Sequence, residues 1–404
     1  MADTGIGITE FSGICKSELC SGCGACVNIC PKNCIRFEED RFGQERPVID
    51  QTRCTQCGMC RKNCPGNMDK KSFRNRYPQH VYAGWRNKES ERRTSSSGGI
   101  ASALAEYVIQ HGGVVYGVIQ EQERIIYQRA DTVEMVRRFR GSRYVQANAT
   151  GIYRQIEKDV SAEKKVLLIG TPCLIAGILS YMDRKDSKKK YQEYLITVDL
   201  LCHGTMPQRY LKEHITAICK KNTIKYDRIT FRSNIPGENY KFILKKNDKV
   251  LYSRRAESDL YFYSFLSSVA VRESCINCKY KNTVRYGDIT LGDFLGLGKE
   301  IPFSEKEKGV HTSLILVNSD AGKQLLENIN SEICLFPRTL EEAVNGGPSL
   351  RMEDSDKKIK WMKRRKKFRI LYPKAGFEEA AKKSIGDQVL LSLTKDKVKE
   401  LFKR

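Results

Sequence analysis

A cysteine run with the spacing Cys-x-x-Cys-x-x-Cys-x-x-x-Cys-Pro occurs twice within the first 65 residues of this 404-residue chain. In bacterial ferredoxins with this spacing, each copy gives three thiolates to one [4Fe–4S] cluster and its fourth thiolate to the other. We therefore expect a first cluster on Cys20, Cys23, Cys26 and Cys64, and a second on Cys54, Cys57, Cys60 and Cys30. A chain that holds two such clusters transfers single electrons.

Other uses of closely spaced cysteines fit the chain less well. Disulfide frameworks are typical of short secreted proteins, whereas residues 1–10 contain neither the basic nor the apolar segment of a secretory signal. Zinc sites use paired Cys-x-x-Cys units, without the third cysteine and the Cys-Pro that follow here. No apolar run approaches about 18 residues, so no membrane-spanning helix is expected. The sixteen cysteines then indicate a reducing, cytoplasmic location.

The formal net charge of +23 is unevenly distributed. Residues 1–70 carry nine basic and nine acidic side chains, so the whole excess lies in the rest of the chain. A basic surface attracts anions, such as an acidic redox partner, a phosphorylated cofactor or an anionic membrane surface. The stretch 357–374 has ten basic and no acidic residues. It is either the charged face of a terminal helix or a peripheral membrane or protein contact. No recognition motif accompanies it, so nucleic acid is not expected as a partner.

Changes in pattern divide the chain into four parts. Residues 1–70 are predicted to form the ferredoxin domain, and residues 71–80 a polar linker. Residues 81–320 alternate short apolar runs with helical patterns, which predicts an α/β domain. Residues 321–404 are predicted to form a helix-rich, basic C-terminal region. The expected fold class is α/β, or α+β over the whole chain, with a small ferredoxin domain, a larger α/β domain and a helical tail.

Reactive side chains follow the predicted strands, where open α/β sheets bind their ligands. Cys173 follows the apolar run 166–169, Cys202 follows 195–201, and Cys275 and Cys278 form a further Cys-x-x-Cys pair. Four thiolates would complete a third [4Fe–4S] cluster, although free cysteines are also common as small buried residues. The Ser/Gly segment 94–99 precedes a predicted helix at 100–110, where either a phosphate site or an ordinary N-cap would fit.

In chain order, these segments resemble the coenzyme F420 hydrogenase/dehydrogenase beta-subunit family, and most of all members found with surface-polysaccharide genes. The matching stretches are 96–99, 141–146, 170–173, 199–204, 275–278 and 287–294. Three positions depart from the family pattern, with Leu174 in place of Gln, Leu295 in place of Trp and Arg143 in place of Lys.

The resemblance implies FAD in the α/β domain and a third [4Fe–4S] cluster on Cys173, Cys202, Cys275 and Cys278. The cofactor-binding residues that it indicates are Ser97, Gly98, Gly99, Tyr144, Gly170, Thr171, Asp288 and Asp293. For the two aspartates, the alternatives are a contact to a flavin hydroxyl and the capping of a turn. His203 is the candidate catalytic residue, as a proton donor beside Cys202, and the alternative is a structural histidine.

The implied activity is that of an oxidoreductase that converts two-electron hydride chemistry at FAD into one-electron transfer through the clusters. The substrate is expected to be coenzyme F420, another small anionic molecule or a glycan precursor. A ferredoxin or a partner oxidoreductase is expected to dock at the ferredoxin domain. Two alternatives remain, a non-catalytic electron-transfer subunit and an Fe–S redox sensor. The remaining cysteines, Cys15, Cys34, Cys219 and Cys334, are expected to be ordinary thiols.

Overall fold

The computed structural model describes residues 13–68, 76–233, 240–304, 311–351 and 355–401. Its strands are β1 (Ile35–Glu39), β2 (Glu45–Ile49), β3 (His80–Arg86), β4 (Val114–Glu121), β5 (Arg124–Ala130), β6 (Val166–Gly170), β7 (Leu195–Leu200), β8 (Arg228–Arg232), β9 (Tyr240–Lys246), β10 (Lys249–Arg255), β11 (Ile289–Asp293), β12 (Ser313–Val317) and β13 (Ile333–Pro337). Its helices are α1 (Ala25–Ile29), α2 (Met59–Lys62), α3 (Glu89–Arg93), α4 (Ile100–Gln110), α5 (Val133–Arg137), α6 (Tyr153–Ser161), α7 (Pro172–Lys185), α8 (Gln208–Asn222), α9 (Leu260–Leu266), α10 (Glu273–Ile276), α11 (Asp320–Glu327), α12 (Leu340–Gly346) and α13 (Ser355–Leu401).

The ferredoxin domain has two short helices and one hairpin. Strands β1 and β2 pair antiparallel from Ile35↔Ile49 to Glu39↔Glu45. Each helix begins directly after a glycine with a left-handed backbone, Gly24 before α1 and Gly58 before α2, a conformation that glycine adopts at little cost. The buried core of the domain consists mainly of cysteine side chains. A domain this small needs cross-links or bound metal for stability, because its apolar core alone is too limited.

The large domain is built on an eight-stranded sheet with the order β13-β3-β12-β11-β7-β6-β4-β5. Its central strands β4, β6, β7 and β11 are parallel. Side chains alternate between the faces of each strand. On β6, Val166 and Leu168 pack with α6 and α7, while Leu167 packs on the other face with α4 and α11. Both faces are therefore covered, as parallel sheets require, and the predicted α/β fold class is confirmed.

The sheet continues beyond residue 320, where the sequence predicted a domain boundary. Strand β13 pairs antiparallel with β3 from Ile333↔Arg86 to Pro337↔Tyr82, and it forms one edge of the sheet. That boundary is wrong, because α11 returns the chain to the sheet and the buried side chain of Ile333 belongs to the same core as β11 and β12.

A smaller antiparallel sheet, with the order β10-β9-β8, packs with α8, α9 and α13 around a second core. Helix α13 is interrupted at Gly376, where φ is 70° and ψ is −179°. Phe368, Tyr372 and Phe377 of α13 are buried against Tyr210 of α8. The basic stretch thus belongs to a helix with one buried face. Within the described ranges, every helix is too short or too polar to span a bilayer.

Candidate electron-transfer site

The four cysteines predicted for the first cluster lie together beside α1. Cys26 has Cys23, Cys20 and Cys64 as its charged neighbours, and burial together with these neighbours raises the pKa of its thiol. Burial also raises the pKa of Cys23 to about 12. Without a cation nearby, desolvation and repulsion between neighbouring thiolates disfavour the charged forms of Cys23 and Cys26. Coordination to iron removes this penalty, so the set fits a metal cluster.

The cysteines predicted for the second cluster form a separate set. Cys60 has Cys30 and Cys57 as charged neighbours, and Cys54 and Cys60 border the same cysteine-rich core. Cys57 is exposed. The second set therefore reaches the protein surface, whereas the first set is buried.

Two cysteines outside the motifs touch the predicted ligands. The Sγ atoms of Cys34 and Cys30 are 3.3 Å apart. The Cys15 thiol hydrogen-bonds Cys20, and this bond lowers the pKa of Cys20 to about 5. From the sequence, both were expected to be ordinary thiols. Their positions within five residues of a motif cysteine were the available signal.

The cysteines predicted for a third cluster converge from three separate segments. Cys173 lies in the first turn of α7, Cys202 follows β7, and Cys275 lies in α10. Cys202 has Cys275, Cys173 and Cys278 as charged neighbours, and burial raises the pKa of Cys278 to about 12. The parallel strands β6 and β7 bring the first two together, because their carboxyl ends meet at one edge of the sheet.

The spacing of the cysteines within the sets is the next feature of the site. Among the described residues, no three His, Cys, Asp or Glu side chains are arranged to hold a single metal ion. A [4Fe–4S] cluster instead distributes its four cysteine ligands around a core of four irons.

The first set abuts the third set across the contact between the two domains. The Tyr153 hydroxyl donates a 2.8 Å hydrogen bond to Cys23 O, and a Cβ added at Gly177 of α7 would lie 3.0 Å from Cys23 Sγ. Cys173 is a charged neighbour of Cys23. Lys279, next to Cys278, donates to Pro65 O and, at 3.0 Å, to Met68 O of the ferredoxin domain. The first set therefore adjoins the third set through Cys23, and it adjoins the second set through Cys26 and Cys60.

A cavity of about 590 Å³ opens at the carboxyl ends of the parallel strands. Its wall includes Cys23, Cys173 and Cys202. Six of the other residues predicted from the sequence also line it, namely Ser97, Gly99, Tyr144, Thr171, His203 and Asp293. Both the first set, through Cys23, and the third set, through Cys173 and Cys202, therefore border the cavity.

Asp288 lies away from the cavity, and the prediction that it binds the cofactor is wrong. It precedes β11, whereas Asp293 ends that strand at the cavity. Its carboxylate accepts hydrogen bonds from Arg76 (2.5 Å), Thr197 Oγ1 (2.7 Å) and Ser319 (2.7 Å). Asp288 therefore secures the opposite end of the sheet.

Gly98 and Gly170 are also absent from the cavity wall. The Gly98 N–H donates to Ser313 Oγ at 2.9 Å, and a Cβ added there would come closer than 3.0 Å to Gly84 O. A Cβ added at Gly170 would lie 3.0 Å from the Tyr127 hydroxyl. Both glycines allow close packing behind the cavity. The structure therefore indicates a packing role for them and not a direct contact to a cofactor.

The Ser/Gly segment and an arginine form one polar region of the cavity wall. The Ser96 hydroxyl accepts a 2.6 Å hydrogen bond from Ser142 N, and Ser97 donates at 3.1 Å to Thr312 O. The Arg143 guanidinium donates to backbone carbonyls of residues 138–141. In the described part of the chain no carboxylate pairs with it, and burial lowers its pKa to about 10. This region can therefore attract an anionic group.

A second polar region comes from the small sheet. Arg232 of β8 and Tyr240 of β9 both donate to Asp293 Oδ2, at 2.7 Å and 2.6 Å. Arg232 also donates to the Tyr144 hydroxyl at 2.9 Å and lies 4.0 Å from the Tyr240 ring centroid. Burial raises the pKa of Tyr144. Arg232 and Tyr240 were not predicted as site residues from the sequence, because no motif links β8 and β9 to the strand ends.

His203 lines the cavity next to Cys202. Its Nε2 atom lies 3.1 Å from Ser268 Oγ, and its ring centroid lies 5.2 Å from that of Phe265. The hydroxyl fixes the ring and can exchange a proton with it. The arrangement is compatible with a proton donor and with a structural histidine, so the catalytic role of His203 stays a prediction.

The two cysteine motifs of the ferredoxin domain, beside a cavity at the strand ends, are typical of an iron–sulfur electron-transfer protein. Family models match nearly the whole chain before the C-terminal tail. A 4Fe-4S dicluster domain matches residues 19–68, and the N-terminal and C-terminal models of the coenzyme F420 hydrogenase/dehydrogenase beta subunit match residues 81–152 and 163–342. The chain belongs to the coenzyme F420 hydrogenase/dehydrogenase beta-subunit family, and the predictions of this family and of iron–sulfur clusters in the ferredoxin domain are confirmed.

One similar solved structure is a chain in the xenon-derivatised F420-reducing [NiFe] hydrogenase complex from Methanosarcina barkeri. The match covers 75% of this chain and 96% of that chain, with 13% sequence identity and a TM-score of 0.45. A comparison with curated proteins found no match.

Proposed function

We propose that this protein is an FAD-dependent oxidoreductase that exchanges electrons between a small anionic substrate and a one-electron partner. The observation that carries the proposal is the third cysteine set, which contributes Cys173 and Cys202 to the cavity wall and adjoins the first set through Cys23. When bound, FAD would supply hydride exchange with a substrate, and the [4Fe–4S] clusters would supply one-electron transfer. Coenzyme F420 and glycan precursors are the proposed substrates.

The cavity fits a flavin in size and in the chemistry of its wall. A volume of about 590 Å³ lies within the usual range of about 300–1,000 Å³ for cofactor and ligand pockets. Gly99 N-caps α4, and helix N-termini favour anions. Arg143, which has no carboxylate partner among the described residues, adds a positive charge beside this segment. These residues would hold phosphate groups of FAD.

The second polar region would orient the substrate. Asp293 is held by Arg232 and Tyr240, so its carboxylate has a fixed position in the cavity wall. Positioning of this kind lowers the cost of bringing two reactants into contact. His203 would hold or release a proton at Nε2, where Ser268 lies within hydrogen-bond distance.

The outer end of the route would meet a partner protein. Cys57 of the second set is exposed, and a cluster near the surface is accessible to a one-electron acceptor or donor. A ferredoxin or a partner oxidoreductase is the proposed partner. The family consists of beta subunits, which also supports a second candidate function, an electron-transfer subunit that turns over only in a complex.

A Cys202→Ser variant tests the third cluster within this proposal. Anaerobically purified variant protein should contain about four fewer iron atoms per chain than the wild type, because one ligand set is broken. It should retain bound flavin and pass far fewer electrons from reduced coenzyme F420 to an added ferredoxin. Cys219→Ser is the matched control, since Cys219 lies in α8 and outside all three sets.

The results separate the two candidate functions. An isolated wild-type chain that contains flavin and turns over with a substrate and a ferredoxin supports the enzyme. Turnover only after a partner enzyme is added supports the subunit. A purified chain that neither contains nor binds flavin contradicts both the cofactor assignment and the proposed hydride chemistry.

A further inference from the structure

Arg272 is a buried arginine at the contact between the ferredoxin domain and the large domain, with 1% of its surface exposed. Its guanidinium donates to Cys20 O at 3.3 Å and to Glu45 O at 3.1 Å in the ferredoxin domain. It also donates to Gln146 Oε1 in the large domain. Its backbone N–H donates to Thr205 O at 2.8 Å. All of these acceptors are uncharged.

The positive charge of Arg272 has no carboxylate partner among the described residues. Its neighbour Arg46 pairs with Asp40 and Glu273, at 3.2 Å and 3.4 Å. Arg272 has no such ion pair, and its Nε has no hydrogen-bond partner. A buried charge without a counter-charge is costly. A negative charge from another group would remove this cost.

Two of the cysteine sets can supply that charge. Cys20 of the first set accepts a hydrogen bond from Arg272 through its carbonyl, and Cys275 of the third set follows three residues later in the chain. Both thiols are charged neighbours of Arg272, ahead of the Asp40 carboxylate, which is paired with Arg46. A Cβ added at Gly22 would lie 3.1 Å from Arg272 Nη2, so the backbone of the first motif approaches the guanidinium closely. Arg272 thus lies between the two sets.

We propose that Arg272 is a shared counter-charge that favours the reduced states of the first and third clusters. Each cluster with four thiolates is anionic, and reduction adds one further electron. A fixed positive charge nearby lowers the cost of that electron. Arginine stays protonated, so this effect requires no proton uptake. The part of the inference that concerns the third cluster rests on the proposed function, while the part that concerns the first cluster rests on the dicluster domain match.

The test is an anaerobic redox titration of the full chain, followed by electron paramagnetic resonance. Arg272→Gln should lower the midpoint potential of the first cluster by at least the equivalent of a tenfold change in equilibrium constant, about 59 mV for one electron. Arg272→Lys keeps the charge and should retain most of the wild-type potential. A purely structural role for Arg272 would not produce this charge-dependent pattern.

Gln146→Glu is a second variant that leaves Arg272 in place. It puts a carboxylate against the same guanidinium without a large change in side-chain size, and it should also lower the potential of the first cluster. This variant decides the question if Arg272→Gln does not load its clusters.

Arg365→Gln is the matched control for a buried arginine. Among the described residues, Arg365 of α13 donates to carbonyl groups, those of Ser268, Val269 and Val271. The charged neighbours of Arg365 include Cys275 of the third set. The cationic neighbours of Cys20, in the first set, are Arg272 and Arg46. Arg365→Gln should therefore leave the potential of the first cluster unchanged.

An unchanged first-cluster potential in a cluster-loaded Arg272→Gln or Gln146→Glu chain would overturn the inference. If the wild type contains only about eight iron atoms, the third cluster of the proposed function fails. The potential of the first cluster still tests Arg272 in that case. The two failures are thus distinguishable.

Discussion

His214 of α8 is predicted to make the docking of helix α13 dependent on pH. The side chain is 3% exposed. Its Nδ1 lies 2.5 Å from Glu378 Oε1 of α13, and its Nε2 lies 3.1 Å from Asp259 Oδ2. An imidazole with a carboxylate at each nitrogen donates two hydrogen bonds only when it is protonated. Burial opposes the charge, but Asp259 and Glu378 together raise the pKa of His214 to about 9.

The magnitude follows from the difference between the folded and unfolded pKa values. The ordinary histidine pKa is 6.5, so a folded-state pKa of about 9 corresponds to about 3 kcal/mol of stability. Because the folded-state pKa is raised, this contribution is fully present below pH 6.5. It is lost as the pH rises through about 9.

The assay follows the undocking of α13 through Trp361, whose ring lies 6.1 Å from that of Tyr263. The second of the two tryptophans is removed by Trp85→Phe. Urea titrations of cluster-loaded protein between pH 6 and pH 10 measure the free energy of unfolding. Over this range, the wild-type protein should lose about 3 kcal/mol more of that free energy than a His214→Gln variant. Parallel pH profiles of the two proteins would refute the reasoning.

Three further predictions concern the packing around the site. Gly98→Ala forces a Cβ against a carbonyl of β3 and should lower the free energy of unfolding by about 1–3 kcal/mol, measured by thermal unfolding. An unaltered melting temperature would contradict this. Gly386→Ala is the control, because residue 386 has space for the Cβ. Lys279→Met removes the hydrogen bonds to Pro65 and Met68 carbonyls and should speed hydrogen exchange near the end of the ferredoxin domain; equal rates would show that the contact is dispensable. Tyr153→Phe removes the hydrogen bond to a carbonyl of the first motif and should cost about 1 kcal/mol, measured as easier denaturant-induced loss of cluster absorbance; the same midpoint as the wild type would argue against a stabilising role.

The sequence predicted the local features of the site well. The cysteines of the ferredoxin domain follow a fixed spacing, so the two sets could be proposed without a structure. The positions of Cys173 and Cys202 after apolar runs predicted correctly that they lie at the same edge of the sheet. Those predictions depended only on neighbouring residues and on the parallel arrangement of β6 and β7.

The errors and omissions arose where distant segments meet. Asp288 and Asp293 lie at opposite ends of a five-residue strand, and at about 3.3 Å per residue they cannot reach one small site. Arg232 approaches the cavity from a separate sheet, and Arg272 lies between two domains. Neither arginine belongs to a motif, so only the three-dimensional contacts identify them.

The central claim is that a flavin cavity and three iron–sulfur clusters form one electron route in this chain. Analysis of iron, acid-labile sulfide and flavin in anaerobically purified protein tests it most directly. The account predicts about twelve iron atoms, about twelve sulfides and about one flavin per chain. About eight iron atoms would contradict the third cluster, and a chain without bound or bindable flavin would contradict the route itself.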